Sequence, residues 1–505
     1  MLTNLKALVV ILALGWAAFA VCGPICLNFM TKQALARRRN VWFMLTIVAF
    51  VSPSFWIYAI VALVVLAWAA ARDENPLALY AITLFVIPNV SFYIPTILVN
   101  NLFDLTQFRI LSLAVLVPAL FRAQFGRDPP QARFRREDAV LAAFLLLQVI
   151  LIMPYQSETA TMRKTLLLFI DIFVLFYSFS RLGTRERLTE VLASFWIGFG
   201  VMAPIAMFES LKGWLLYTGI GGVWGDPNVY SWLFRGESLR AQAAAQHSIN
   251  LGFHLSMALG FYLFMRTRGV DRLRDGVVLA TLIAGLVVTY SRGAWVTAIC
   301  VGVLFMGSRP DAAKRLAGGL VAATILFALM YVSPLKESVL DRLPFIGTAD
   351  QDTIEYRRQL AEVSWNLIRL HPFFGDPFVV SRMESLRGGQ GIIDIVNGYM
   401  YTALFNGLVG LGLLLGFSFL ALFRGFAAFR QSNGDRDAAT LGAALLACMV
   451  AALVYVATAG YNETLYILFG LSVSYAVACG NRVPVAQPQV VRVVDRRRAM
   501  NSRTL

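Results

Sequence analysis

GYMYTALFNGLVGLGLLLGFSFLALF, from Gly398 to Phe423, carries no charged side chain. It is longer than the ~20 apolar residues with which a helix crosses the hydrocarbon of a bilayer. Before it lies a polar stretch, Pro334 to Asp394, and directly after it stands Arg424. Working outward, apolar runs recur near Ala139–Met153, Leu166–Ser180, Val191–Leu211, Ser248–Phe264, Val277–Tyr290, Ala294–Met306, Leu316–Val332, Leu441–Thr458 and Leu465–Cys479. Continuous blocks of this kind satisfy their backbone groups internally only as helices, whereas a transmembrane barrel alternates in short segments. With 58% hydrophobic and 14% charged residues, the chain cannot hide its apolar surface in a water-soluble core. The fold class expected is an all-α polytopic membrane protein, with 12 to 15 transmembrane helices and one long, partly helical exterior loop.

The net charge of +15 would point to nucleic acid in a soluble protein. Here the basic residues gather in short loops at Lys32–Arg39, Arg122–Arg136, Arg181–Arg187, Arg266–Arg274, Arg309–Arg315 and Arg424–Arg436, and in a tail through Arg496, Arg497 and Arg498. That is the positive-inside pattern, so these loops are read as cytoplasmic, and no nucleic-acid partner is expected. The alternation of sides runs through the chain without contradiction.

The N-terminal third is harder to divide. Its runs at Ala7–Met30, Val41–Ala71, Leu77–Ile97 and Ile110–Phe121 include Ser52-Pro53-Ser54, which is expected to break one long run into two short helices. Ala18-Phe19-Ala20 resembles a signal-peptidase site, but the apolar run continues to Met30, so an uncleaved anchor is expected. Cys22, Cys26, Cys300, Cys448 and Cys479 lie in or beside apolar runs and form no C-x-x-C, which argues against a disulfide framework and a thiolate metal site. There is no P-loop, G-x-G-x-x-G after a strand, or G-x-S-x-G elbow, so ATP-driven transport and serine hydrolysis are disfavoured.

Chemistry is concentrated in a few polar residues. IEYRRQLAEVSWNLIRLH, Ile354 to His371, has helical spacing, and Arg357, Leu360, Ser364, Leu367 and His371 fall on one stripe. Pro372 disfavours helical geometry before it, so the helix should end at about His371. That histidine either stabilises the negative end of the helix dipole or serves as a general base, since imidazole titrates near neutral pH. Arg292, in Tyr290-Ser291-Arg292-Gly293-Ala294-Trp295, is pressed between two apolar runs, where only a tight turn fits. It is either a snorkelling interfacial arginine or, being on the exterior side where positive charge is not favoured, the binder of an anion. Arg240 is read as opening a span, with Gln242, Gln246, His247 and Asn250 following on what should be a helical face lining a cavity. His247 and His254, seven apart, share a face and are read first as satisfied buried histidines. Asp350-Gln351-Asp352 is a D-x-D, a form that can hold a divalent metal but is weak alone.

Taken in order, these pieces resemble the O-antigen ligase and polymerase superfamily of bacterial envelope glycan assembly. The pieces are Arg240-Ala-Gln with His247-Ser-Ile and Gly252, Ser291-Arg292-Gly293-Ala294-Trp295, Arg357 fourteen residues before His371-Pro-Phe-Phe-Gly375, and Asn397-Gly-Tyr with Gly407-Leu-Val-Gly410. The family often has His-Asn where this chain has Val396-Asn397, which leaves His371 as the one histidine of the long loop. The resemblance implies a multi-pass protein of the bacterial inner membrane with its site facing the periplasm. The implied reaction moves a glycan from undecaprenyl pyrophosphate to an acceptor hydroxyl on lipid A-core, another lipid-linked glycan or a protein, with inversion and without metal or other cofactor. It implies Arg240 and Arg292 on the pyrophosphate, Arg357 with its neighbour Arg358 on the donor or orienting the base, His247 and Asn397 as further substrate contacts, and His371 as the base. Two other readings stay open: a metal-dependent glycosyltransferase using Asp350 and Asp352, and a transporter or flippase of lipid-linked glycans. The chain divides into 1–333 (membrane helices), 334–396 (periplasmic loop), 397–480 (C-terminal membrane helices) and 481–505 (a basic tail read as disordered).

Overall fold

The structure is a computed structural model that describes residues 2–94, 103–125, 134–226, 230–235, 237–332, 351–387, 393–432 and 434–480. Asp350, the Asp352 side chain and the basic tail 481–505 lie outside the described residues. Helices dominate. The first three are α1 (Leu2–Cys26), α2 (Lys32–Val51) and α3 (Phe55–Arg72). As expected, the chain breaks between α2 and α3 at Ser52-Pro53-Ser54, and Ser54 caps α3 by accepting the Ile57 N–H. The two pieces are not short, at 20 and 18 residues.

The run Leu77–Ile97 departs from expectation. It forms only the short helix α4 (Pro76–Thr83) and then an extended strand, β1 (Ser91–Tyr93), paired antiparallel with β2 (Asp104–Thr106). Pro88 explains this locally, because it lacks an N–H and pushes the residue before it out of helical geometry. Next come α5 (Gln107–Leu111) and α6 (Val117–Phe125), joined by a π-helical stretch at Ser112–Leu116. After α7 (Arg136–Ile152), helices α8 (Glu158–Leu168) and α9 (Leu175–Phe179) are likewise joined through a π-helical stretch at Phe169–Val174.

Then follow α10 (Arg185–Gly200), α11 (Met202–Lys212), the short α12 (Thr218–Trp224), and a hairpin of β3 (Phe234–Arg235) with β4 (Ser238–Leu239). Helices α13 (Ser248–Met265), α14 (Arg272–Val287), α15 (Arg292–Gly307) and α16 (Ala312–Val332) lead to the loop helix α17 (Gln351–Leu370). The chain closes with α18 (Gly398–Gln431), α19 (Arg436–Val456) and α20 (Glu463–Gly480).

Among the described residues, seven helices are long and apolar enough to cross a membrane, and Arg292–Gly307 and Glu463–Cys479 are shorter apolar helices. The count of 12 to 15 took in every apolar run, including those built here from short or interrupted helices. The all-α polytopic class stands. Helix α13 is the axis of the bundle, buried along most of its length against α10, α15 and α19.

Ion pairs gather the basic loops at one end of the bundle. Arg38 pairs with Asp73 at 2.6 Å and Glu190 at 2.9 Å. Arg181 pairs with Asp138 at 2.6 Å and Arg424 with Glu137 at 2.8 Å, while Arg185 and Arg268 reach Asp435 and Asp437 at 2.7 and 3.1 Å. Segments up to 287 residues apart in sequence are thereby held together, and α13, α15 and α18 each begin at the far end from them.

Candidate active site

Arg240 does not open a helix. From Arg240 to His247 the chain is non-helical apart from a single 3-10 turn at Ala243–Ala245, and α13 begins only at Ser248. The expected helical face of Gln242 and Gln246 is therefore absent. The reason is visible in the backbone: Ala243 and Gln246 sit at φ +44° and +62°, left-handed values that interrupt a right-handed helix. Local contacts hold this segment. Its Arg240 N–H donates to the Leu233 carbonyl at 2.9 Å and its Ala241 N–H to the Val288 carbonyl at 3.1 Å.

Val288 leads into the turn between α14 and α15. It is tight, as its crowding predicted, with Tyr290 at φ +46°. The turn carbonyls collect arginines: Arg240 Nε donates to Thr289 O at 3.2 Å, and Arg235 Nη1 donates to Tyr290 O at 3.0 Å. Arg292 follows as the first residue of α15, half-buried. A cation there opposes the positive end of the helix dipole, so it does not serve helix stability. Its guanidinium stands where the helix dipole is positive, the end of a helix that suits an anion.

Arg235 was missed in the sequence. The one signal available was a cation on the side of the membrane that disfavours it. His247, next to this group, caps α13 with Nδ1 accepting the Ile249 N–H at 3.2 Å. Burial, and after it the charge of Arg240, pull its imidazole down to about 4. The ring is thus neutral near pH 7, with its proton on Nε2 as a hydrogen-bond donor. His254 is buried as expected but only half satisfied: Nε2 lies 3.0 Å from Thr464 Oγ1, while Nδ1 has no hydrogen-bond partner among the described residues.

His371 is reached by another route. Helix α17 stops at Leu370, as Pro372 predicted. Its stripe of Leu360, Ser364 and Ile368 is buried against Val379, Met383, Leu386, Ala403 and Leu404, so α17 and the loop after it share a small core with the start of α18. Arg357, in the second turn of this helix, and His371, just past its end, both stand exposed. Fourteen residues at 1.5 Å rise put them about 21 Å apart, so sharing a stripe does not bring them together. Arg357 neighbours Asp394, whose carboxyl burial raises above its ordinary value and Arg357 draws part of the way back. Tyr356 ties α17 to the same loop, its hydroxyl donating to Asp394 O at 3.0 Å and accepting the Asp394 N–H at 2.9 Å. Arg358 pairs with Glu362 at 3.3 Å on the exposed side. The His371 ring is exposed and hydrogen-bonds to none of the described residues.

What fixes His371 is the turn after it. Helix α18 is broken at Gly407, whose φ +65° and ψ −172° belong essentially to glycine alone. The turn Pro372–Gly375 enters that break. Leu408 N–H donates to Pro372 O at 2.7 Å, Val409 N–H to Phe373 O at 3.2 Å, and Asp376 N–H to Leu404 O at 2.8 Å. Backbone groups freed by the break are thereby satisfied where water is scarce. Gly375, at φ +70°, is locked against Leu404 O from the other side. A Cβ at position 407 would lie 2.2 Å from the Phe373 carbonyl. Gly407→Ala should therefore release the turn, lowering activity at least tenfold and admitting protease to Pro372–Arg387 in the folded membrane protein. Unchanged activity and an intact loop would show that the interlock does not hold His371.

Asn397 caps α18, its Oδ1 accepting the N–H groups of Tyr399 and Met400 at 3.0 and 3.1 Å. The α19–α20 turn links the two halves of the site. Gly398 N–H donates to Ala459 O at 3.0 Å, and Tyr461 OH lies 3.3 Å from Thr402 Oγ1. On the other flank Gly293 abuts Thr458, and Tyr455 OH donates to Asn250 Oδ1 at 3.1 Å. The arginine turn and the start of α18 thus meet around one short connection, on one side of the bundle. Among the described residues no three His, Cys, Asp or Glu side chains stand together as metal ligands.

No curated protein matches the chain. Residues 277–415 match the family model described as O-antigen ligase. Arg292, Arg357, Arg358, His371, Asn397 and Gly407 lie inside that match, whereas Arg235, Arg240 and His247 precede it. This segment, 139 of the 505 residues, is thus similar to the O-antigen ligase family, within a chain that folds as a polytopic helical membrane protein.

Proposed function

We propose that the protein transfers a glycan from undecaprenyl pyrophosphate to an acceptor hydroxyl on the periplasmic face of the bacterial inner membrane, inverting the anomeric carbon and using no metal ion. The observation that carries this reading is the convergence of Arg235, Arg240 and Arg292 on one turn at a helix N-terminus. Guanidinium groups bind phosphate oxygens through a rigid fork and keep their charge, which suits a leaving pyrophosphate better than any neutral group would. We assign Arg240 and Arg292 to the pyrophosphate, with Arg235 and the Nε2–H of His247 beside them. His371 accepts the acceptor proton as the acceptor oxygen bonds to the anomeric carbon and the pyrophosphate departs with the electron pair. Arg357 and Arg358, about 21 Å along α17 from that base, are assigned to the glycan rather than to orienting the imidazole. Asn397 supports the site by capping α18.

The test is purified protein in nanodiscs with a lipid pyrophosphate-linked glycan and three acceptors: lipid A-core, a second lipid-linked glycan and a hydroxyl-bearing peptide. Transfer is expected to one of them, to persist in EDTA, and to release one undecaprenyl pyrophosphate per glycan moved. Transfer stopped by EDTA and by Asp352→Ala would make this a metal-dependent glycosyltransferase instead. Labelled lipid crossing the bilayer with no acceptor modified would make it a transporter.

A further inference from the structure

Glu209 takes no part in the assignments above, yet it is fully buried near the end of α11. A carboxylate in such a place costs stability unless its oxygens are hydrogen-bonded, and here they are. Oε1 accepts the Leu216 N–H at 3.0 Å, while Oε2 accepts the N–H groups of Gln242 and Ala243 at 3.0 and 2.8 Å. Two successive N–H groups meet on one oxygen because Gln242, at φ −128° and ψ −27°, turns them to the same side, and Ala243 follows in a left-handed conformation at φ +44°. For alanine that conformation is strained, and it is held by the carboxylate on its N–H together with the Tyr230 hydroxyl that donates to its carbonyl. The next residue completes the arrangement: Ser210 Oγ donates to Leu239 O at 3.1 Å. Glu209 and Ser210 therefore grip the chain on both sides of Arg240.

The geometry points to Glu209 as the positioning residue that presets Arg240 for a phosphate-bearing ligand, an inference that rests on the function proposed above. The end of α11 acts as a clasp: it fixes residues 239 and 242–243, so the Arg240 side chain leaves a rigid backbone toward the Thr289 carbonyl. Glu209→Gln breaks the clasp without changing side-chain length, because an amide NH2 would face backbone N–H groups on one side or the other.

The experiment measures binding of a fluorescent undecaprenyl pyrophosphate to the full chain in nanodiscs, without acceptor, alongside thermal unfolding. Arg240→Ala and Glu209→Gln are both expected to weaken binding about 10- to 100-fold, the range for lost hydrogen bonds to charged groups. Ser210→Ala, which deletes the weaker half of the clasp, is expected to weaken it about two- to tenfold and keeps the test open if Glu209→Gln does not fold. A merely structural Glu209 would lower the unfolding temperature and leave the affinity of the folded fraction as in the wild type, which overturns this inference. Binding lost in Arg240→Ala but unchanged in Glu209→Gln and Ser210→Ala overturns it as well, with the proposed function intact. If the wild-type protein binds no lipid pyrophosphate, the proposed function fails, and the clasp loses its ligand with it.

Discussion

His371→Ala is expected to lower glycan transfer by about 10²- to 10⁴-fold, the range for removing a general base, while binding of the lipid pyrophosphate changes little. The separation follows from the site's construction. The arginines around Thr289–Arg292 are held by α11, β3 and the α14–α15 turn, whereas His371 is held by the interlock of Pro372–Gly375 with α18. Removing the imidazole disturbs none of the contacts that fix the arginines. The ring is exposed and hydrogen-bonds to none of the described residues, so its loss leaves no buried group unpaired and should not unfold the protein. A deficit in turnover at saturating donor, with donor affinity intact, is the expected signature. If His371→Ala instead transferred glycan at the wild-type rate, the acceptor would be deprotonated elsewhere and the histidine would be no more than a helix terminus.

Arg292→Lys is the second large effect expected, a loss of about 10- to 100-fold in kcat/KM with protein level in the membrane near normal. Lysine keeps the charge and most of the length, so a site that needed only positive potential would tolerate it. The planar fork is what is lost, and with it two parallel hydrogen bonds to phosphate oxygens. Arg292 stands at the first position of α15, where its charge works against the helix dipole. Lysine at that position opposes the dipole equally, so helix stability cancels from the comparison. Full activity in Arg292→Lys would mean that bidentate binding is the wrong account of this residue, even if Arg292→Ala were dead.

Much of this was legible in one dimension because it depends on composition over short windows. The length of the apolar runs set the class, and the ion pairs of Arg185, Arg268 and Arg424 gather basic segments that the charge pattern had put on one side. Pro372 announced the end of α17, and crowding between two apolar runs announced the turn at Tyr290. Both are local steric effects. The same local logic misjudged Leu77–Ile97, where apolar composition said helix and Pro88 with β-pairing to Asp104–Thr106 decided otherwise.

Arg240 shows where that logic stops. Its surroundings have the composition of a helix start, but its backbone is set by Glu209, Val288 and Leu233, partners with no mark in the local sequence. Arg109 is a second case, half-buried in a membrane protein and paired with Asp171 at 2.7 Å across 62 residues. Arg357 and His371 are the converse: periodicity put them on one stripe, and only the straight run of α17 shows that they lie about 21 Å apart along it.

By itself, then, the sequence determined that the chain is a helical membrane protein, which loops carry its positive charge, and that a histidine follows a helix end, because run length, charge bias and proline sterics act within a few residues. Only the tertiary structure decided that three arginines share one turn, that two glycines lock His371 to α18, and that a buried carboxylate holds Arg240. Those depend on backbone carbonyls, N–H groups and left-handed residues meeting across 29 to 55 residues, and every residue has a carbonyl to offer, so composition cannot say which one will be used.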